Sequence, residues 1–409
     1  MLKKLKNCLY PISKPKESLS FKEIIKPIYS VITFFGLFPY SVKFHKTKSE
    51  LKIIPKSIYI NTLYGVSTVL TVYVFTALHI REVFSSSDSN SMIDVLLTQI
   101  NYIIELSTLI VFITVTYISC FVNRRKYVKI LNALISNWNE LPQNNKSYRI
   151  LKHLYYTLQV FVKGGLLLVV IMQICVNFTR DDSVWKMILV TMTFNIPQTV
   201  QFITIAFYYV VVMMLIALLN NLKDNMLQLH SKPNESTRFL NLKTSPSLTL
   251  RQTELFYIKA FKIKTDINEV FQGPLMVSTL QCFHSIISEG HILYHGLVKR
   301  SLSLHATFNC SIWIVYQLLK LFIMAYSGNA LKVEVVQIAQ ALHDIPTERQ
   351  DLRFFMEIQH FSELISFQSI ELTLYNCFPL DATFVYNILG SAMMYLIILV
   401  QFDKKEETV

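Results

Sequence analysis

Two carboxylates, Glu105 and Glu289, interrupt long stretches of otherwise apolar sequence. An unpaired charge at such a position is hard to explain structurally, because apolar surroundings penalise it unless something binds it. Around them stand residues that could bind a small molecule. Gln99, Tyr102 and Glu105 recur every three residues and so share roughly one face of a helix. Gln173 follows in a third apolar run, and Asn195 and Gln198 flank Pro197 in a fourth. The proline lacks an amide hydrogen and bends a helix, which exposes carbonyls beside those two amides. Glu289, His291 and Tyr294 lie in a fifth run, and Asn309 and Trp313 in a sixth. Amides, carboxylates and aromatics around one cavity suit a small polar or amphipathic ligand. Taken singly, each group is also explained by an interhelical hydrogen bond worth about 0.6–2 kcal/mol. Taken together, they are read as a pocket.

Catalytic and metal chemistry fit less well. His291 and His295 are four apart, which puts two imidazoles on one helix face. They do not form an HExxH, and no nearby Cys or further His completes a site, so no metal is expected. There is no GxSxG elbow and no phosphate loop, so neither an enzyme nor a cofactor is expected. The six cysteines show no CxxC and no close-spaced framework; they read as small apolar packing residues. Cys175 and Cys310 fall at a similar level, where a bond is possible but not required.

The elements that must position these residues are membrane spans. Of 409 residues 52% are hydrophobic and only 16% charged, with a mean hydropathy of +0.39. Soluble domains carry roughly 25% charge. Apolar runs long enough to cross a bilayer, about 18 residues or more, decide for lipid over a large core. The runs fall at about 57–80, 92–121, 154–178, 187–220, 274–298, 306–325 and 382–402. The expected fold is all-α, a polytopic membrane protein with seven transmembrane helices. Residues 24–40, short and broken by Pro27 and Pro39, read as an interfacial or re-entrant segment.

The net charge of +12 belongs to this topology rather than to nucleic acid. Thirty Lys and Arg fall in the amino-terminal segment and the loops after spans two, four and six, against seven on the other side. The positive-inside rule then puts the N-terminus in the cytoplasm and the C-terminus outside. The basic start, without an apolar h-region, is not a secretory signal. The sequon at Asn177 falls outside and is expected to be glycosylated, whereas that at Asn234 falls inside and is expected to be silent.

Runs four and six outlast the bilayer. Apolar stripes at Leu255, Ile258, Phe261 and Ile267, and at Val333, Val336, Ile338 and Leu342, predict a cytosolic helical anchor bundle. The alternative is separate amphipathic helices lying on the inner leaflet. The expected division is 1–56, a cytoplasmic segment with an interfacial helix; 57–345, a six-span ligand-binding region with cytosolic extensions; 346–402, an anchor helix and the seventh span; and 403–409, an extracellular tail.

The carboxyl-terminal stretch adds a resemblance. Phe378-Pro-Leu-Asp381 leads into a span closing as Met394-Tyr395, five apolar residues, then Gln401-Phe402. This resembles the insect gustatory receptor family, whose last span ends in Thr-Tyr, five mostly apolar residues and Gln-Phe. Gly36-Leu-Phe-Pro-Tyr-Ser-Val-Lys43 is similar to that family too. Met394 departs from the usual Thr. The resemblance implies a homotetrameric or heterotetrameric channel of the plasma membrane of sensory neurons, gated by a small-molecule tastant and passing Na, K and Ca cations. The seventh span would line the pore. Four copies of Gln401 and Phe402 would form an amide ring and an aromatic gate that closes by dewetting. Tyr395, roughly 120° round the helix from Gln401, need not face the pore. By the breadth of that subgroup, a bitter or deterrent plant compound is preferred over a sugar as ligand. An insect odorant receptor shares the architecture but normally lacks the final Gln-Phe. A G-protein-coupled receptor also has seven spans, but the opposite orientation. A transporter would need internal repeats, which the sequence lacks.

Overall fold

The computed structural model describes residues 19–38, 41–46, 51–57, 59–85, 92–178, 183–230, 248–298, 304–345 and 352–406. Nearly all of this is helix. In chain order come α1 (Phe21–Phe34), a hairpin of β1 (Ser41–Lys46) and β2 (Leu51–Ser57), α2 (Tyr59–Ser85), α3 (Met92–Val122) and α4 (Arg124–Glu140). Then follow α5 (Asn145–Gln159), a π-turn (Val160–Gly164), α6 (Gly165–Phe178), α7 (Val184–Val190), a second π-turn (Thr191–Asn195) and α8 (Ile196–His230). The chain continues with α9 (Leu250–Val298), α10 (Leu304–His343), α11 (Leu352–Phe367), a small hairpin of β3 (Thr373–Leu374) and β4 (Phe378–Pro379), and α12 (Ala382–Glu406).

Six of these segments are long and apolar enough to cross a membrane: Thr62–Glu82, Ile100–Val122, Asn145–Asn177, Val184–Leu227, Ala306–His343 and Ala382–Gln401. The remaining expected span, 274–298, forms the C-terminal half of α9. At 49 residues that helix is about 75 Å long, against a hydrocarbon core of about 30 Å. Two spans begin earlier than composition suggested. The third continues unbroken from the polar helix α5, whose start is fixed by a capping box between Asn144 and Ser147.

The fourth span is the hub. In the most apolar stretch of Val184–Leu227, 89% of the residues are buried inside the protein, against 11% in that of Ala382–Gln401. The second π-turn sits immediately before Pro197 and absorbs the missing amide hydrogen. Beside the proline, Asn195 O accepts from Gln173 Nε2 at 3.1 Å and from Thr199 Oγ1 at 2.7 Å.

Beyond the apolar cores, α4, α8, α9, α10 and α11 pack into a bundle edged with ion pairs, including Lys223–Glu334 at 2.6 Å and Lys129–Asp266 at 2.8 Å. Its buried stripes share Ile267, Ile338 and Leu342 with those expected and otherwise differ. On α9 they are Tyr257, Ala260, Ile263, Ile267 and Val270, and on α10 Leu331, Val335, Ile338 and Leu342. Leu255, Val333 and Val336 are exposed instead. Both real stripes follow strict three- and four-residue steps, and the discarded residues lie on neighbouring faces.

Residues 21–38 pack into the helix bundle. Ile24, Ile25, Ile28 and Ile32 of α1 are buried, Phe21 stacks on Trp138 at 4.6 Å, and Phe38 meets Tyr127 edge-on. The interfacial helix expected here is a packed element of the bundle, because its apolar row finds α5 and α8 to cover it.

Candidate functional site

The polar residues singled out from the sequence do converge on the helix interior, but as three groups rather than one. In the first, Tyr102 Oη lies 2.7 Å from His79 Nε2, and His79 Nδ1 lies 2.7 Å from Thr193 Oγ1. The rings of His79, Tyr102 and Phe194 pack together. This chain of hydrogen bonds ties α2 and α3 to the π-turn of the fourth span.

The second group is Gln173, Asn195 and Thr199. Gln173 donates to Asn195 O and Thr199 Oγ1 and is fully occupied in bracing the bend at Pro197. Asn177, one turn on, donates to Thr191 Oγ1 at 3.4 Å. Thr179, which completes the sequon, and the whole sequon at Asn234 lie outside the described residues.

The third group joins α3, α8, α9 and α10 and holds most of the charge. Ser285 donates to Glu105 Oε1 at 3.1 Å, and Gln317 donates to Ser285 Oγ at 3.1 Å. Glu289 is within electrostatic reach of Glu105 and hydrogen-bonds the Cys310 thiol. Deeper in, Lys320 is completely buried and donates to Gln198 Oε1 at 2.7 Å and to Gln201 Oε1 at 2.5 Å. Its ammonium sits 4.5 Å above the Tyr316 ring, and Trp313 packs edge-on against that tyrosine. Gln201 passes the network on to Ser278 Oγ at 2.7 Å.

Lys320 is the residue that sequence reasoning passed over. A single Lys in an apolar run costs roughly 2.5–3.5 kcal/mol to insert, and that cost was the available signal. Ser285, Gln317, Gln201 and His79 carried no such signal, since neutral polar residues are common in spans. Four buried polar atoms of this region have no hydrogen-bond partner among the described residues: both side-chain atoms of Gln281, Gln317 Oε1 and Asn309 Oδ1. Unsatisfied amides at depth mark where a polar guest or water belongs.

Chemically, two carboxylates within electrostatic reach of each other in a low dielectric repel, and a ligand hydroxyl or ammonium near both relieves that repulsion. Trp313 and Tyr102 supply flat apolar surface. His291 is buried with its ring 5.9 Å from that of His295, and no metal-holding group of three or more residues occurs among the described residues. Tyr294 is half-buried at the rim. The side chain of Gln99 lies outside the described residues, as does that of Phe402. Tyr395 and Gln401 are exposed on α12. Cys175 and Cys310 are not joined by a disulfide.

Two cavities lie away from this network. One, of about 410 Å³, opens between the end of α1, α2 and α3. The other, of about 290 Å³, runs between α9 and α12 and is lined by Thr383, Asn387 and Ser391 on the helix side.

The sequence profile of the 7tm chemosensory receptors matches residues 25–406. Among solved structures, the chain resembles the insect olfactory receptor OR5 from Machilis hrabei, with a TM-score of 0.67 and 12% identity over 93% of this chain and 98% of that one. The same receptor in complex with eugenol matches with a TM-score of 0.69, at the same identity and coverage. No curated protein sequence matches the chain.

Proposed function

Because this chain belongs to the 7tm chemosensory receptor family and is a multi-pass membrane protein, we propose that it is a gustatory subunit of a ligand-gated, non-selective cation channel. The observation that carries this reading is the state of α12. A helix of membrane length with only 11% of its most apolar stretch buried within its own chain needs partners, and copies of itself around a central pore supply them. Tyr386, Met394 and Tyr395 are all half or more exposed on it. The exposed Val333, Val336 and Leu255 give the bundle apolar surface for the same assembly.

The orientation, with seven spans, a cytoplasmic N-terminus and an extracellular C-terminus in the plasma membrane of a sensory neuron, rests on the Lys and Arg asymmetry. Agonist binds beside Glu105 and Glu289, where amide atoms of Gln281, Gln317 and Asn309 have no hydrogen-bond partner among the described residues. A bitter or deterrent plant compound, with aromatic and hydroxyl groups, suits these walls better than a sugar. The gustatory reading over the odorant one rests on Tyr395, Gln401 and Phe402 in their sequence spacing. The olfactory relative's complex with eugenol, a small aromatic molecule, supports a ligand of that size under either reading.

The test is expression in cultured cells, alone and with related subunits, with calcium imaging across sugars, plant toxins and small phenols. A calcium rise to at least one compound is expected. Silence throughout, or an epitope tag after residue 402 that antibodies reach only from the cytosol, would overturn the reading.

A further inference from the structure

The cavity of about 410 Å³ between α1, α2 and α3 is large enough for a guest, at the lower end of the roughly 300–1,000 Å³ of small-molecule sites. Its walls include Gly36, Gly65, Val69 and Tyr117, and they are almost entirely apolar. Its rim residues Val66, Leu70, Ile118 and Phe121 are exposed on membrane-spanning helices, so the cavity opens sideways into the bilayer. Small residues maintain it. Gly36 adopts a φ of 68° that side-chain-bearing residues rarely take, and a Cβ on Gly65 would press to 3.3 Å against both Gly36 O and the Tyr117 ring. The one large polar group, the Tyr117 hydroxyl, is spent on Phe35 O. What remains is a slot for a hydrocarbon chain.

One end of that slot is basic. Phe121, on its wall, carries the Arg124 guanidinium 4.8 Å above its ring, and exposed Arg125 follows. Basic residues clustered at a span's end attract anionic headgroups. We propose that this cavity is a binding site for an anionic phospholipid, one acyl chain in the slot and the headgroup held by Arg124 and Arg125.

The full-length protein would be reconstituted in phosphatidylcholine vesicles containing a minor share of phosphatidylserine, re-extracted, and its co-purifying lipid counted by mass spectrometry. Phosphatidylserine should be enriched several-fold over its share of the vesicle. Val66→Trp fills the slot from its lipid-exposed edge without entering the core, and R124Q/R125Q removes the headgroup site while leaving the slot open. Each should abolish the enrichment. No enrichment in the unaltered protein would overturn the proposal. So would full enrichment in Val66→Trp, which would mean that surface charge alone gathers the lipid. The readout needs no channel activity, so it stands or falls apart from the channel reading.

Discussion

Lys320 Nζ lies 2.7 Å from Gln198 Oε1 with no part of the side chain open to solvent, so a formal positive charge sits where α8, α9 and α10 meet. Two glutamine oxygens, the Tyr316 ring, the Cys282 thiol and the more distant Glu105 compensate for its lost hydration. This residue ties the carboxylate group at Glu105 to the hub span, and several consequences can be measured.

Lys320→Met keeps most of the volume but strands the oxygens of Gln198 and Gln201. Leaving a buried acceptor unsatisfied costs about 1–3 kcal/mol. The purified variant should melt several degrees lower, and Gln198→Ala should do the same through the same pair. An unchanged melting temperature in both would mean that the buried ammonium contributes nothing net.

Glu105→Ala and Glu289→Ala should shift agonist potency by about ten-fold or more, the value of a lost charge-assisted hydrogen bond of about 1.5–3 kcal/mol. Assembly should be unaffected, since neither residue lies on α12 or in the bundle beyond the spans. Dose–response curves that overlay the unaltered receptor for both variants would remove the pair from the ligand site.

Gly328 on α10 receives the chain where it turns into α12. A Cβ placed there would fall 1.9 Å from Leu380 O, an impossible approach to backbone. Gly328→Ala should therefore displace the start of α12 and abolish agonist current while protein still reaches the membrane. Normal current would show that the corner yields freely.

Asp381 caps that same helix. Its Oδ1 accepts from the Thr383 amide at 2.9 Å and from the Phe384 amide at 3.4 Å, and the Thr383 hydroxyl also donates to it. The hydroxyl bond, followed by the backbone bonds and nearby Lys332, holds the carboxyl below its ordinary range, against a smaller opposing effect of burial. A depressed carboxylate stabilises the fold above its unfolded pKa and loses that contribution as pH falls through its folded one. Asp381→Ala should cost about 0.5–2 kcal/mol of helix stability near neutral pH. The gap between it and the unaltered protein should close under acid. A gap independent of pH would rule out the capping charge.

Phe402→Ala should raise ligand-free current if four phenyl rings close the pore by dewetting. Whole-cell recording without agonist is the measurement. A tightly closed, silent but ligand-responsive variant would exclude the ring as the gate.

The sequence by itself determined the class of fold, because the cost of burying peptide groups in lipid forces long apolar helices and leaves a clear compositional trace. It also determined that helices would outlast the bilayer and pack beyond it, and that Glu105, Gln173 and Asn195 would face inward. Only the tertiary structure decided which groups meet. Tyr102 turned to His79, Gln173 to the bend at Pro197, and Glu105 to Ser285, and one expected pocket became three networks. Those pairings join residues up to 180 positions apart, and their partners depend on helix rotation and on two π-turns. A π-turn shifts the facing of everything after it, and no periodicity in the sequence announces one. For the same reason the stripes of α9 and α10 were partly misjudged. Helical spacing permits several overlapping faces, and only the neighbouring helices select the one that is buried.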